Sequence, residues 1–455
     1  MVFTMPIHYS EQYWSRCWAP KRGLESQLKG AILGAGLGRR LDPLTAYQLP
    51  KPLFPLGGKV PIAEIWVRRL IGSGITDMSM NLCVMAEAIK HHFGAGDKFG
   101  INLTFVEEEI PSGTLGGVCK MALGSGTKLV ASDMSLPAIP EFRGSTIIVP
   151  SGDIVANFGV ELLEEMYGFH RKSGAAMTMV LTEVESARKK DFGTVILANP
   201  DKNPGPLSQS GRICDFREKD PNSPSCLSNA SIYMIEVDLL RTVDHYRTEA
   251  KVGLDEPFYD FGKHLFPAVL GKLPYVQLPK GYVLWGLKFE GSWFDVGNKR
   301  DYLRVNRAVL DDEISLPLTY ERLPWGYLGT NVEIDFSAVE IHSPVVIGNN
   351  CIIEPGTVLG PYAVIGDGWH VERRSVITNS VLWERYPYYA EGKHKITATH
   401  RRLVDRHEIR GVRIEESIIA GGCLEQDTIG QTVDIREDGH MAVLPIDYMP
   451  AEPRA

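Results

Sequence analysis

The sequence contains no two cysteines in CxxC spacing. Its seven cysteines (17, 83, 119, 214, 226, 351 and 423) are scattered and odd in number. That argues against a structural zinc site and suits a reducing cytoplasm rather than a disulfide framework. No stretch approaches the roughly 18 consecutive apolar residues of a membrane span. Positive charge is not in excess: 48 Lys and Arg face 56 Asp and Glu, a formal net charge of −8. A global nucleic-acid-binding role is therefore not expected. The first 28 residues carry Trp, Tyr and charges without an apolar core, and read as an N-terminal extension, not a signal peptide. Two nucleotide motifs are also missing. The dinucleotide pattern GxGxxG fails at Arg39, and the Walker A pattern fails at Val60, which follows Gly58-Lys59.

What is present is a chain of 455 residues, 44% hydrophobic and 23% charged, long enough for two or three domains. From residue 30 to about 310, strand-like and helix-like pieces alternate. Ala31–Leu33, Ile75–Leu82, Ile101–Glu107, Thr146–Pro150 and Ala176–Val184 read as strands. The segments "AEIWVRRLIGSG", "AEAIKHHFGAG" and "VELLEEMYGFHRKSG" place apolar residues three or four apart and end in glycine, as helices do. Such alternation predicts a mostly parallel sheet covered by helices on both faces, with ligands at the carboxyl ends of its strands.

The C-terminal part follows another rule. Ile341, Ile347, Ile353, Leu359, Ile365, Val371 and Ile377 recur every six residues. Four positions after each stand Val345, Cys351, Thr357, Ala363, Trp369, Ser375 and Val381, mostly small. A six-residue period fits neither a helix nor a single strand. It fits a coil with one flat face per repeat, three faces to a turn, and an aliphatic ladder up its axis. This predicts a parallel β-helix, of left hand, over about 330–382. Residues 384–410 break the register and read as an insertion, and "ESIIAGGCLEQDTIGQ" from Glu416 is expected to resume it. The insertion carries seven Lys/Arg, four acids and three histidines. It is either a solvated loop or an anion-contacting arm. His342 and His370 raise acyl transfer as a role for the coil, but about seven repeats are short for that. Packing and self-association into a homo-oligomer are the better readings.

The stretch "GAILGAGLGRRLDPLTAYQLPKPLFPLGG" (30–58) concentrates the chemistry. A short apolar run opens into glycines at 34, 36 and 38, then Arg39 and Arg40, then Lys51 between two prolines. Glycines let backbone N–H groups approach a polyphosphate. Arg40 can grip phosphate oxygens with a planar fork, and Lys51 adds a point charge. A plain loop would explain the glycines but not the cations beside them.

The stretch "GAGLGRRLDPLT…LPKPLFPLGGK" resembles the first motif of the sugar-1-phosphate nucleotidyltransferases, the NDP-sugar pyrophosphorylases. The resemblance continues through "PSGTLGG" (111–117), "VPSGDIV" (149–155), "DFGTV" (191–195), "FREKD" (216–220), "NASIYMIE" (229–236) and "GSWFDVGNKRDYLRVN" (291–306). It implies a Rossmann-like, doubly wound α/β catalytic domain over 29–312 and a left-handed β-helix domain over 313–455. It implies nucleotide binding by Leu33, Gly34, Ala35, Gly36, Gly38, Arg39, Arg40, Gly113, Thr114, Gly116 and Asp153. Gly193, Glu218, Lys219 and Asn229 would hold the sugar phosphate, although Asn229 could equally cap its strand. Asp153 and Asp295 would hold Mg²⁺; taken singly, each could be a turn aspartate. Arg40, Lys51 and Lys219 would be catalytic. Ala35, Arg39, Asn298 and Asp220 depart from the family pattern without touching these charges.

The reaction implied is NTP + sugar-1-phosphate → NDP-sugar + pyrophosphate, most like mannose-1-phosphate guanylyltransferases. Glucose-1-phosphate or a cyclitol phosphate with another NTP is the alternative within the class. A non-catalytic nucleotide-sugar sensor is the alternative outside it. Neither a nucleic acid nor a membrane is expected as a partner.

Overall fold

The computed structural model describes residues 28–47, 49–124, 146–203, 205–250, 259–273, 278, 281–316, 318–384, 407–435 and 441–449. The N-terminal extension and most of the expected insertion lie outside these residues.

Among the described residues, nine strands form the first domain's sheet: β1 Leu28–Leu33, β2 Asp77–Leu82, β3 Asn102–Glu107, β4 Thr146–Pro150, β5 Met177–Glu183, β6 Gly193–Lys202, β7 Leu207–Glu218, β8 Leu227–Glu236 and β9 Leu284–Phe289. Their order is β3-β2-β1-β4-β8-β5-β9-β7-β6. The sheet is parallel from β3 to β4, and only β7 and β8 run against the rest. It is more mixed than the sequence pattern suggested. The reason is local: β6 reaches β7 through a short turn, which permits only antiparallel pairing.

Side chains alternate between two cores. In β1, Ala31 faces one and Ile32 the other; in β4, Ile147 and Val149 oppose Ile148. The helices Ile62–Gly72, Val160–Ser173 and Lys299–Leu310 cover one face. The helices Gly113–Leu123 and Val237–Ala250 cover the other. The two-faced covering expected from the sequence is present.

The second region stacks three parallel ladders. One runs through Gly326–Leu328, Val345–Ile347, Ala363–Ile365, Ser380–Leu382, Ile418–Ile419 and Gln431–Ile435, with an antiparallel strand added at each end. The other two each contain five strands. The six-residue ladder is its axis: Ile347, Ile353, Leu359, Ile365, Val371 and Ile377 are all buried in one cluster. Two details differ from the sequence reading. The step from Ile365 to Leu382 is one residue shorter than the step from Ile347 to Ile365. Ser380 therefore takes the inward place and Val381 turns outward. Strand His407–Ile409 already pairs in register with Gly422–Leu424 and with His370–Val371, so the coil resumes before Glu416.

The outward residues of the longest ladder, Val346, Val364, Val381 and Ile418, are not solvated. They share a core with Phe54, Tyr302 and Leu303 of the first domain. Trp383 donates its Nε1–H to Tyr302 Oη at 2.9 Å, and Asn306 Oδ1 accepts from Gly57 N at 2.9 Å. Lys59 Nζ lies 2.7 Å from both Asp367 and Glu384. The β-helix thus braces the segment that follows Lys51. No helix among the described residues is long and apolar enough to cross a membrane.

Candidate active site

The order β2-β1-β4 means the chain leaves β1 to one side and later returns on the other. This is the crevice where parallel sheets hold ligands. Leu33 at the end of β1 bridges Ser151 just after β4, and Gly152 N donates to Leu33 O at 2.8 Å. Asp153 follows in the turn, its Oδ1 accepting from Ser151 Oγ at 2.6 Å. The next residues, Ile154–Ala156, pair antiparallel with Trp293–Asp295, placing Asp295 opposite Ile154. Two carboxylates distant in sequence are thereby made neighbours.

Lys51 reaches between them. It opens a short 3₁₀ turn, Lys51–Leu53, after Pro50, with φ −66° at Pro50. The turn's bonds run from Leu53 N to Pro50 O and from Phe54 N to Lys51 O, so Pro52 leaves no donor unmet. Lys51 is 8% exposed, and its Nζ lies 2.6 Å from Asp153 Oδ2 and 3.8 Å from Asp295 Oδ1. Burial alone would raise the Asp153 carboxyl; Lys51 and the Ser151 hydroxyl outweigh it and hold it below its ordinary value. Asp295 has the weaker share of Lys51. Burial pushes it up to about 6, with Asp153 adding and Lys51 and Arg40 opposing. A Cβ on Gly297 would sit 3.3 Å from the Arg40 guanidinium and 3.5 Å from Asp295, which locates Arg40 at the same edge.

A cavity of about 350 Å³ opens beside this cluster. It brings together Leu33, Gly34, Ala35, Gly36, Lys51, Gly113, Thr114 and Asp153. Gly116 stands behind the wall rather than in it: its N donates to Tyr259 O at 2.9 Å, and a Cβ there would meet Ser112 at 2.8 Å. Gly38, with φ +64°, starts the 3₁₀ turn that turns Arg39 and Arg40 to solvent.

The residues expected to hold a sugar phosphate gather at the ends of β6, β7 and β8. Gly193 and Glu218 are cross-strand partners, and a Cβ on Gly193 would lie 2.4 Å from the Phe216 ring. Lys219 adopts φ +50° and donates its N–H to Phe192 O at 3.1 Å. Asn229 is engaged locally: Oδ1 accepts from Ser231 N at 2.9 Å and Nδ2 donates to Tyr233 Oη at 2.7 Å. Asn298, a departure from the resembled pattern, caps the helix Lys299–Leu310 by accepting from Asp301 N at 2.9 Å.

Among the described residues no three His, Cys, Asp or Glu side chains cluster as a metal cage. Two carboxylates are donors of the type a hard cation such as Mg²⁺ takes, so Asp153 and Asp295 are the residues that could hold one. Asn81, Glu108, Ser112, Ser151 and Asp260 also line or support the site, and the sequence reading passed over them. Asn81 in "MSMNL" gave a faint signal as a polar residue closing an apolar strand. Glu108 sits in a run of three glutamates, where nothing marks the middle one as buried.

The nucleotidyl transferase family model matches residues 29–312. The chain is 28% identical over 365 residues to a UTP–glucose-1-phosphate uridylyltransferase of Synechocystis, covering 78% of this chain and 83% of that protein. It is 26% identical over 355 residues to the mannose-1-phosphate guanylyltransferase of Mycobacterium tuberculosis, covering 77% and 83%. It is 28% identical over 351 residues to a mannose-1-phosphate guanylyltransferase catalytic subunit beta of Danio rerio, covering 77% and 81%. The match spans the sheet, the paired aspartates and the lysine between them: the chain belongs to the nucleotidyl transferase family of enzymes.

Proposed function

We propose that the protein joins an NTP to a sugar-1-phosphate and releases pyrophosphate, with GTP and mannose-1-phosphate as the first pair to test. The observation that carries this reading is Lys51 set between Asp153 and Asp295 beside the glycine loop. A phosphate oxygen of the sugar-1-phosphate attacks the α-phosphorus. The bond from that phosphorus to the bridging oxygen breaks, and pyrophosphate leaves with the electron pair. Two anions must be brought into line, so the protein's task is positioning and charge neutralisation. Arg40 faces the β,γ-phosphates. Lys51 holds the triphosphate near the reacting phosphorus, and Lys219 holds the sugar phosphate. Asp153 and Asp295 would hold Mg²⁺, whose charge would neutralise phosphate oxygens.

UTP with glucose-1-phosphate is the second pair, favoured by the name of the Synechocystis relative. A purely sensing role is disfavoured because Arg40, Lys51, Asp153, Lys219 and Asp295 are all present in the sequence. The same reading takes the coil as left-handed, the scattered cysteines as marks of a cytoplasmic protein, and the exposed Ile352 and Ile429 of the coil as part of a homo-oligomeric contact. The test is a pyrophosphate-release screen of five NTPs against a panel of sugar-1-phosphates. Release with a single preferred pair supports the proposal, and no release with any pair rejects it. A monodisperse 50.5 kDa species in light scattering rejects the oligomer.

A further inference from the structure

The segments that follow β1 and β3 are joined, through Asn81 near the end of β2, by one chain of hydrogen bonds. Gly34 N donates to Asn81 Oδ1 at 2.9 Å. Asn81 Nδ2 donates to Glu108 Oε1 at 2.8 Å. Glu108 Oε2 accepts from Ser112 N and Ser112 Oγ, each at 2.6 Å, and Lys120 Nζ lies 3.4 Å away. The Glu108 side chain is wholly buried and Asn81 is 2% exposed. Packing leaves no slack: a Cβ on Gly117 would lie 2.3 Å from Asn81 Nδ2.

Because Gly34 N is committed to Asn81, it is not a donor to phosphate. Its role is to be held. The chain begins at the glycine loop and ends at Ser112, which leads into the helix Gly113–Leu123, whose first residues Gly113 and Thr114 line the same cavity as Gly34. We infer that Asn81 and Glu108 are positioning residues that fix the distance between the phosphate loop and the nucleobase loop, so that an NTP is gripped at both ends at once. This rests on the nucleotidyl-transfer reading above. Only a carboxylate accepts hydrogen bonds at both of its ends. An amide at 108 turns one end into a donor, which then faces either Asn81 Nδ2 or Ser112 N.

The test is equilibrium binding by the full-length protein, with two probes: the NTP bound most tightly by the wild type, and inorganic tripolyphosphate, which has no base. Glu108→Gln is expected to weaken the NTP about 10-fold, the scale of a charge-assisted hydrogen bond, and to leave tripolyphosphate within about 2-fold. The double variant Asn81→Asp with Glu108→Gln reverses donor and acceptor at the link between 81 and 108 alone: the new carboxylate accepts from Gly34 N and from the new amide, whose oxygen accepts from Ser112. It is expected to recover most of the NTP affinity. An unchanged NTP affinity in Glu108→Gln overturns the inference. So does an equal loss for both probes, which marks general damage to the fold, or a double variant no better than the single one. A wild type that binds NTP but never releases pyrophosphate counts against the proposed reaction; the two-probe comparison still decides the tether.

Discussion

The sheet domain and the β-helix solve the same problem of burial by opposite routes. In the β-helix up to Leu382, parallel strands pair with partners about 18 residues away, and the inward residue repeats at each face. Neighbours in space are neighbours in a repeat, so the pattern shows in the sequence. In the sheet domain, strand order departs from chain order, and the site is assembled from Gly34, Lys51, Asp153 and Asp295. Regular coil building gives a rigid wall but no special place. The break in order at β1 and β4 gives the place, and the coil braces it through the Lys59 and Trp383 contacts.

The contrast can be broken at its strongest point first. Asp153→Asn and Asp295→Asn are each expected to fold and to lose about 10²–10³ in kcat, the effect of one lost electrostatic group. Pyrophosphate release at limiting Mg²⁺ with circular dichroism checks this, and near-normal turnover would remove that residue from the site.

A matched pair sharpens the comparison. Ile148 in β4 and Ile365 in the coil are both fully buried. Truncating either to alanine should cost about 2–5 kcal/mol in denaturant unfolding. Only Ile148→Ala should also lower kcat of the folded protein, because β4 carries Ser151 and Asp153. Ile365→Ala damages one coil and its neighbours and should leave kcat nearly unchanged.

The seam itself should respond to pH. Burial pushes Glu384 up to about 7 from its ordinary 4.5; Asp367 adds to this and Lys59 opposes it. A carboxyl that keeps its proton longer in the folded chain gives stability present at low pH and lost as pH rises from about 4.5 to about 7. The facing groups titrate elsewhere, since Lys59 is raised above 10.5, Asp367 lowered below 3.8, and Tyr320 raised. Glu64, held below its ordinary value, and His91 and His92 line the neighbouring cavity, so the quantity to measure is wild type minus Glu384→Gln. That difference should fall by about 1–3 kcal/mol across the window; a flat difference would refute the assignment. The smallest effect is expected at Asn298→Ala, where loss of the helix cap should cost about 1 kcal/mol in thermal unfolding.

What could be read from the sequence follows the same divide. The coil's ladder was legible from Ile347 to Ile377 because its contacts are periodic. It misled at Val381, where one coil lacks a residue and nothing local announces it. In the sheet domain, strands β1 to β5 were legible from apolar runs, and Lys51, Asp153 and Asp295 from motifs. Asn81, Glu108 and Asp260 were not, because their roles depend on strands brought together only by the fold. The seam was equally hidden: Lys59 and Glu384 look like ordinary surface charges until the coil packs against the hairpin formed by Pro55–Leu56 and Val60–Pro61.

We propose that Lys51, Asp153 and Asp295 carry reversible transfer of a nucleotidyl group between pyrophosphate and a sugar phosphate. The most direct measurement is exchange of label from pyrophosphate into NTP in the presence of the NDP-sugar and Mg²⁺. Labelled NTP is expected from the wild type, with a loss of about 10²–10³ in Asp153→Asn. A wild-type protein that binds the NDP-sugar yet transfers no label would contradict it.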